Sequence, residues 1–439
     1  MVNRLSIWTL VLLGLAGCTK ATPVEEISVP AGTTISDTPT PEFAPEDWPW
    51  WRGPERNGHS QSESAPLTWS ESENIIWKTA VPGRGHSSPT VVGDRIFLAT
   101  ADETAQTQSL LAFDRATGDS LWETQLSQGG FPTSMHQNST HANGTVACDG
   151  ERLFIALLHH DQIHVYAVSL EGERLWDVTA GGFASTYGYA PSPLVYNSVV
   201  IIAADNRGGG YLAAIDRETG DLIWRKQRPV ETSFSSPVVA TVGGRDLLVI
   251  SGCDLVAAYD PATGDEVWTC QGTTSATCGT AVWDGERFFA SGGYPGAQTI
   301  SVDAASGQEV WSTAQKCYEQ SMLVHDGLLF AVTNNGTFCW NSATGAEQWR
   351  GRTGGRFSAS PVLAGGNIYA VNEAGTCFVF KADGAAFELV AENELGSEAF
   401  ATPTICGGRI YMRVAERVRG QRQEVLYCIG DATETGVGG

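Results

Sequence analysis

From about residue 47 onward the chain alternates short apolar runs with turn residues, and one such unit returns along most of its length. In residues 255–268, LVAAYDPATGDEVW, alternating residues lead to Asp260, then Thr263-Gly264, then Trp268, so Gly lies four residues and Asp eight before the Trp. The same offsets recur at Asp114/Gly118/Trp122, Asp216/Gly220/Trp224 and Asp303/Gly307/Trp311, and at Asn341/Gly345/Trp349 with Asn for Asp. The run before the acid reads as a strand. The Asp or Asn side chain accepts from backbone N–H groups two residues on, and the Gly takes the φ > 0 position of a short hairpin. The Trp begins the returning strand.

A degraded copy, VSLEGERLW, ends at Trp176 with its turn shortened by one residue, and a weaker one, FKADGAAFEL, places Phe387 where the Trp is expected. Trp77, in NIIWKTAVPG, has no turn ahead of it. The ring positions are then 77, 122, 176, 224, 268, 311, 349 and 387, spaced by 45, 54, 48, 44, 43, 38 and 38 residues. Such spacing suits one four-stranded antiparallel sheet per repeat and leaves no room for crossover helices, which predicts an all-β, eight-bladed β-propeller. The C-terminus supplies three strands lacking a fourth, so the N-terminal strand at Trp77 is expected to complete the last blade and remove its edge.

The first residues carry one charge at Arg4, an apolar run from Ile7 to Leu15, and Leu15-Ala16-Gly17-Cys18. The run is too short to span a bilayer, and a small-residue pair before Cys is the mark of a lipoprotein signal. Residues 1–17 are therefore expected to be removed and Cys18 to be lipidated, which places the chain in the cell envelope, facing the periplasm and touching membrane through that lipid alone. Residues 18–46, rich in Thr, Pro and Glu, read as a disordered tether. Residues 47–430 form the propeller, taken as monomeric, and 431–439 a flexible tail. Loss of Arg4 moves the formal net charge from −22 to −23. So acidic a chain excludes nucleic acid, which needs a cationic face.

The motif AxDxxTGxxxW resembles the repeat of the pyrroloquinoline-quinone (PQQ)-type eight-bladed propellers, which include quinoprotein dehydrogenases and the outer-membrane assembly lipoprotein BamB. The resemblance covers roughly residues 47–430. Asp47-Trp48-Pro49-Trp50-Trp51-Arg52-Gly53-Pro54 with Gly58 is similar to the WPxWRGPxRxG opening of a group of bacterial PQQ-like propellers. The repeat is a fold signature and carries no activity by itself. If the dehydrogenase side of the family applied, PQQ with calcium would oxidise an alcohol or sugar. Many such members carry adjacent cysteines against the quinone, and this chain has no Cys-Cys and no haem motif. No GxSxG, HExxH or Walker loop is present either. The preferred reading is a non-catalytic interaction scaffold for envelope proteins or peptides, with a part in outer-membrane protein assembly implied by BamB, no catalytic residues and no cofactor. A carbohydrate- or peptide-binding propeller is a further alternative.

Small residues and Pro mark the inner strands at Ser87-Ser88-Pro89, Ser192-Pro193, Ser235-Ser236-Pro237, Ser360-Pro361 and Thr402-Pro403, where eight strands converge and bulk is excluded. In the quinoproteins that mouth holds the cofactor. The interblade links before Thr145 and Leu194 are the longest. They place Phe131, His136, His141, Phe183, Tyr187 and Tyr189 with the turn at His159-His160 over the second and third blades, as the expected binding face. Five of eight His lie between 136 and 164. Because they sit in loops without helical metal spacing, His136, His141, His159 and His160 are read as hydrogen-bonding groups and no metal is expected. Of the ten Cys, Cys270 and Cys278 are the pair most suited to bridging in an oxidising compartment.

Overall fold

The computed structural model describes residues 24–35, 38–184 and 186–431; the expected signal segment, Cys18 and residues 432–439 lie outside them. Eight four-stranded antiparallel sheets stand around one axis. Their innermost strands, for blades 1 to 8, are Thr90–Val92, Ala147–Cys148, Leu194–Tyr196, Val238–Val242, Val282–Trp283, Leu323–His325, Val362–Ala364 and Thr404–Cys406. Blade 8 closes as expected: Ile75–Val81 pairs with Gln421–Ile429, with Trp77 opposite Cys428. Interblade links and the turns between second and third strands share one face, here the mouth face. The Asp-x-x-Thr-Gly turns occupy the other.

The repeat motif works between blades. Asp114 Oδ1 accepts from the N–H groups of Ala116 and Thr117, which fixes the turn. The Trp of the preceding blade then lies on that turn's glycine: a Cβ on Gly118 would come within 2.5 Å of Trp77, and one on Gly345 within 2.6 Å of Trp311. Each indole N–H donates to a carbonyl of the next blade's turn at 2.7–3.3 Å, from Trp77 to Arg115 through Trp349 to Asp383. The glycine thus meets two demands, positive φ and a ring against its Cα.

Trp224 departs from the other ring positions. The sequence reads it as an equivalent copy, yet it is 0% exposed, whereas Trp77 and Trp268 keep 9% and Trp122, Trp176 and Trp311 are half-buried. The cause lies outside the repeat. Ile35 and Val29 of the N-terminal segment pack in the same apolar cluster as Trp224, and Ile27 bridges to the neighbouring Arg225, so added chain covers this outer strand. Its indole N–H still donates to Pro261 O at 3.3 Å, and a Cβ on Gly264 would come within 2.7 Å of the ring. Trp224 is therefore a core residue and contributes to no binding surface.

Phe387 does not hold the eighth ring position. Ala391 does, since it pairs with Val379 as Trp349 pairs with Cys339. The reason is turn length: Lys381 N bonds Glu388 O, whereas Asp114 N bonds Asp119 O, so this turn is two residues longer than the repeat. Trp69, far away in sequence, fills the seat that Ala391 leaves empty. It stacks on Tyr369 at 6.4 Å, and its backbone N–H donates to Asn393 Oδ1 at 2.9 Å.

The described part of the expected tether is not free chain. Ile27 forms a two-way backbone bridge with Arg225 on the outer edge of blade 3, Ile35 is 3% exposed between blades 3 and 4, and Phe43 meets Trp50 edge-on at 5.3 Å. The few apolar residues of a polar segment are spaced to reach these seats in turn. The Cys270–Cys278 bridge is not formed, and all nine cysteines of the described chain are free thiols. Cys270 belongs to blade 4's outer strand, whereas Cys278 lies at the axis.

Candidate functional site at the axial mouth

The Trp-Pro-Trp-Trp-Arg-Gly-Pro segment threads the ring and stoppers it. Trp48 bridges Val91 of blade 1, and Pro49 O accepts from Cys148 N of blade 2 at 2.8 Å. Arg56 donates to Val195 O of blade 3 at 2.7 Å while its guanidinium lies 4.3 Å over Trp50. Arg52, fully buried, donates to Met322 O of blade 6 at 2.7 Å and to Pro361 O of blade 7 at 2.8 Å. Among the described residues no carboxylate pairs with it; burial lowers its pKa to about 9, so carbonyl dipoles hold a cation at neutral pH. Gly58 exists for that guanidinium, because a Cβ there would sit 2.3 Å from Arg52 Nη2.

Above this stopper the inner strands present two layers. In the lower one, each blade contributes a hydroxyl: Ser88, Thr145, Ser192, Ser236, Thr280, Ser321, Ser360 and Thr402. The backbone N–H of one donates to the hydroxyl of the next in seven links of 2.9–3.2 Å, always in the same rotational sense. At the remaining step Thr280 Oγ1 accepts the Trp51 indole N–H at 2.8 Å. Small size at these positions therefore relieves crowding, as expected, and also stitches blade to blade.

The upper layer lies two residues earlier in each link, ahead of the inner strand itself. It consists of His86, Asn143, Ala190, Phe234, Cys278, Glu319, Ser358 and Phe400, all of which line a cavity of about 440 Å³ with Trp51 among its walls. The lower layer is uniform and the upper one is not. Phe234 and Phe400 come from blades four apart and so face each other, as do Asn143 and Glu319. His86 stacks on Phe400 at 4.5 Å, and Tyr187 meets Phe234 edge-on at 6.0 Å. Tyr318, Asn334 and Arg356 complete the rim.

Charge in this layer is muted. Burial, then the nearby Arg84, Arg413 and Arg422, push the His86 pKa well below its ordinary value, so the ring is neutral, and its Nε2 has no hydrogen-bond partner. Ser358 Oγ contacts Glu319 Oε2 closely and Glu373 Oε1 at 2.8 Å. A hydroxyl has one hydrogen to donate, so the second contact calls for a proton on a carboxyl. Desolvation raises the Glu319 pKa in that direction, although its side chain keeps an open surface toward the mouth.

The expected binding face is split by the structure. Tyr187 is 52% exposed and joins His136 at the mouth, their rings 5.6 Å apart. Phe183 and Tyr189 do not reach the surface. Phe183 is 3% exposed, the two rings pack edge to face at 5.4 Å between blades 2 and 3, and Tyr189 OH donates to Ala203 O. His159 is buried too, stacked on His164 at 3.8 Å and bonded through Nε2 to Tyr166 OH at 2.7 Å; burial and the neighbouring His164 and His160 lower its pKa to about 4. His160 Nδ1 lies 2.9 Å from His159 Nδ1, while Phe131 and His141 stack on each other at 3.8 Å. Among the described residues, no three His, Cys, Asp or Glu approach closely enough to hold an ion. Sequence reasoning missed Phe234, Tyr318, Glu319 and Phe400. For Phe234 and Phe400 the signal was positional, two residues before the marked Ser236 and Thr402; Tyr318 and Glu319 precede Ser321, which the small-residue-and-Pro pattern does not mark.

A closed ring of eight blades, seven of them seating an outer indole on the next blade's turn, defines the class of PQQ-repeat propellers, which accommodates more than one activity. The family model described as outer membrane protein assembly factor BamB matches residues 63–142, 106–351 and 296–387, and the chain belongs to that family. BamB of Burkholderia pseudomallei (strain K96243) is 24% identical over 357 residues, covering 76% of this chain and 84% of that protein. BamB of Legionella pneumophila (strain Paris) is 22% identical over 222 residues, or 50% of this chain and 47% of its own length, so the chain spans about half of that relative. Among solved structures, BamB from Moraxella catarrhalis superimposes with TM-score 0.58 at 15% identity over 80% of this chain and 99% of that one. A europium-containing methanol dehydrogenase gives 0.64 at 13% over 88% and 98%. These likenesses show a shared fold.

Proposed function

We propose that the chain is a lipid-anchored, non-catalytic scaffold of the cell envelope, held at Cys18, facing the periplasm, and gripping an envelope protein or peptide at the axial mouth. The observation that carries this reading is the stoppered mouth itself, where Phe234 and Phe400 face each other above a closed floor. Facing aromatic rings open to solvent offer large contact area at low entropic cost, as interface anchors do. Membership of the BamB family and the names of the relatives support a part in outer-membrane protein assembly; in this reading the propeller acts as a monomer.

The lining suits PQQ with calcium poorly. PQQ carries three carboxylates, and the cavity wall offers one guanidinium, Arg356; a calcium ion would find one carboxylate, Glu319. The quinoprotein reading is therefore set aside, and incubation with PQQ and calcium is expected to give neither dye-linked alcohol oxidation nor a Tm shift. For the scaffold, the test is Phe234→Ala with Phe400→Ala in protein whose melting curve is intact. Loss of the partners recovered with wild-type protein from envelope extract is the expected result. An unchanged set of partners would overturn the assignment of the mouth.

A further inference from the structure

The path of the N-terminal segment sets the attitude of the propeller. Ile27 and Arg225 exchange backbone hydrogen bonds of 2.9 Å each, Arg225 Nε donates to Glu25 O at 2.8 Å, and Gln227 N donates to Glu26 Oε1 at 3.1 Å. The segment is thereby held against the outer edge of blade 3 by an isolated antiparallel bridge, and Val24 packs against the apolar cluster shared by blades 2 and 3. Val24 and Glu25 lie beside Gly182 and Gly208, which belong to the mouth face. From there the chain descends the blade to Ile35, whose carbonyl accepts from Ser198 N, and on to the stopper.

Cys18 precedes Val24 by six Cα steps, a reach of about 20 Å at full extension. Blade 3's outer strand, Leu222–Arg228, is seven residues, so the blade is of similar height, roughly 23 Å. A lipid on Cys18 consequently reaches the bilayer from the mouth side, and the opposite face lies at or beyond the limit of the tether.

The surface on that side is independently suited to a headgroup layer. Tyr187 is 52% exposed, Val230 40% and Tyr294 63%, and all three stand on the mouth face of blades 3 to 5. Tyrosine places an apolar ring at the interface and its hydroxyl in water. Val418, exposed on the same face, belongs to blade 8 and stands apart from them.

We propose that the mouth-side rim of blades 3 to 5 rests on the membrane surface, turned there by the short tether from Cys18. The proposal depends on Cys18 being acylated. With a formal net charge of −22 for the whole chain and −23 once Arg4 is removed, the protein is repelled by anionic lipid, so the matching surface is a zwitterionic one.

The experiment is amide hydrogen exchange on purified full-length protein in phosphatidylethanolamine/phosphatidylcholine vesicles, compared with Cys18→Ala protein free in solution. Amides at 207–209, 230–232, 293–294 and 296–297 are expected to slow several-fold on the vesicles, with those at 115–118, 217–220 and 262–264 unchanged. Slowing at the Asp-x-x-Thr-Gly turns, or no slowing anywhere in protein that floats with vesicles and carries diacylglycerol by mass, would overturn the orientation while leaving the anchor intact. A mass showing unmodified Cys18 would remove the anchor and the orientation together. Inserting a thirty-residue Gly-Ser linker between Cys18 and Val24 is expected to abolish the slowing but not the flotation. Slowing that survives the linker would overturn the role given to the tether.

Discussion

Trp69 lies nearly parallel to Tyr369, their ring centroids 6.4 Å apart and their planes within 15°. In blade 6 the matching partner of the second-strand ring Phe330 is the outer-strand Trp349, at 6.0 Å. A residue from outside the repeat thus supplies blade 7 with the indole that its own outer strand lacks. Trp69→Ala is expected to cost about 3–5 kcal/mol, as much as Trp268→Ala, because both empty a closed seat between blades. Adding Ala391→Trp to Trp69→Ala is expected to recover part of the loss. Urea unfolding of the three variants checks this, and a loss below about 1 kcal/mol for Trp69→Ala would place it among surface residues.

The stopper is tested at Arg52 and Gly58. Arg52→Ala leaves the Met322 and Pro361 carbonyls buried without their donor, and a loss of about 3 kcal/mol or more is expected. Gly58→Ala meets both a φ of +83° and the guanidinium, so it is expected to destabilise to a similar extent. Paired with Arg52→Ala it is expected to add less than it costs alone, since the clash is gone. Strict additivity in denaturant melts would refute that coupling.

Truncation after Glu416 removes the strand Gln421–Ile429, which pairs on one side with Ile75–Val81 and on the other with Arg409–Val418. Loss of the whole melting transition is expected, because the closing blade is split between the two ends of the chain. A truncated protein that melts as the wild type does would contradict closure.

Acid should loosen the ring through its buried imidazoles. Burial holds the His159 pKa at about 4, against an ordinary value of 6.5, and His59 is lowered to about 4 in the same way. Between those values the unfolded chain binds more protons than the folded one. Stability is then complete above about pH 6.5 and is lost as pH falls toward 4. For His159 the loss is roughly 1–2 kcal/mol after allowance for screening by solvent. The stability gap between wild type and His159→Gln is expected to narrow by that amount from pH 7 to pH 4.5. A gap that stays constant in calorimetry across this range would sink the idea.

The blades were legible because their signal is local. Asp114, Gly118 and Trp122 lie within nine residues, and each acts through turn geometry that a short window contains. Where the window has to widen, reading fails. Two extra turn residues shift the register around Phe387, and nothing near it announces that Trp69 takes the seat. Trp224 looks like its fellow copies because the chain that covers it, at Ile27 and Ile35, lies far upstream. The stopper was visible as a motif, yet its partners at Val195, Thr280, Met322 and Pro361 are all distant, so its purpose was not. Phe183 and Tyr189 read as surface because loops of that composition usually are; here the link folds back and packs both between blades. Phe234 and Phe400 were readable in principle, since a fixed offset of two residues ties them to the marked Ser236 and Thr402.

The two layers of the axial wall divide labour in a way that bears on how such a protein can be altered. Each strand carries its own stitch and, two residues away, its own lining side chain, so the eight lining positions are addresses that can be rewritten one at a time. Replacing Ala190 or Cys278 leaves Ser192 and Thr280 in place, and with them the bonds to their neighbours. A common wall with private furnishings lets descendants of one ring diverge in what they hold without renegotiating how they fold.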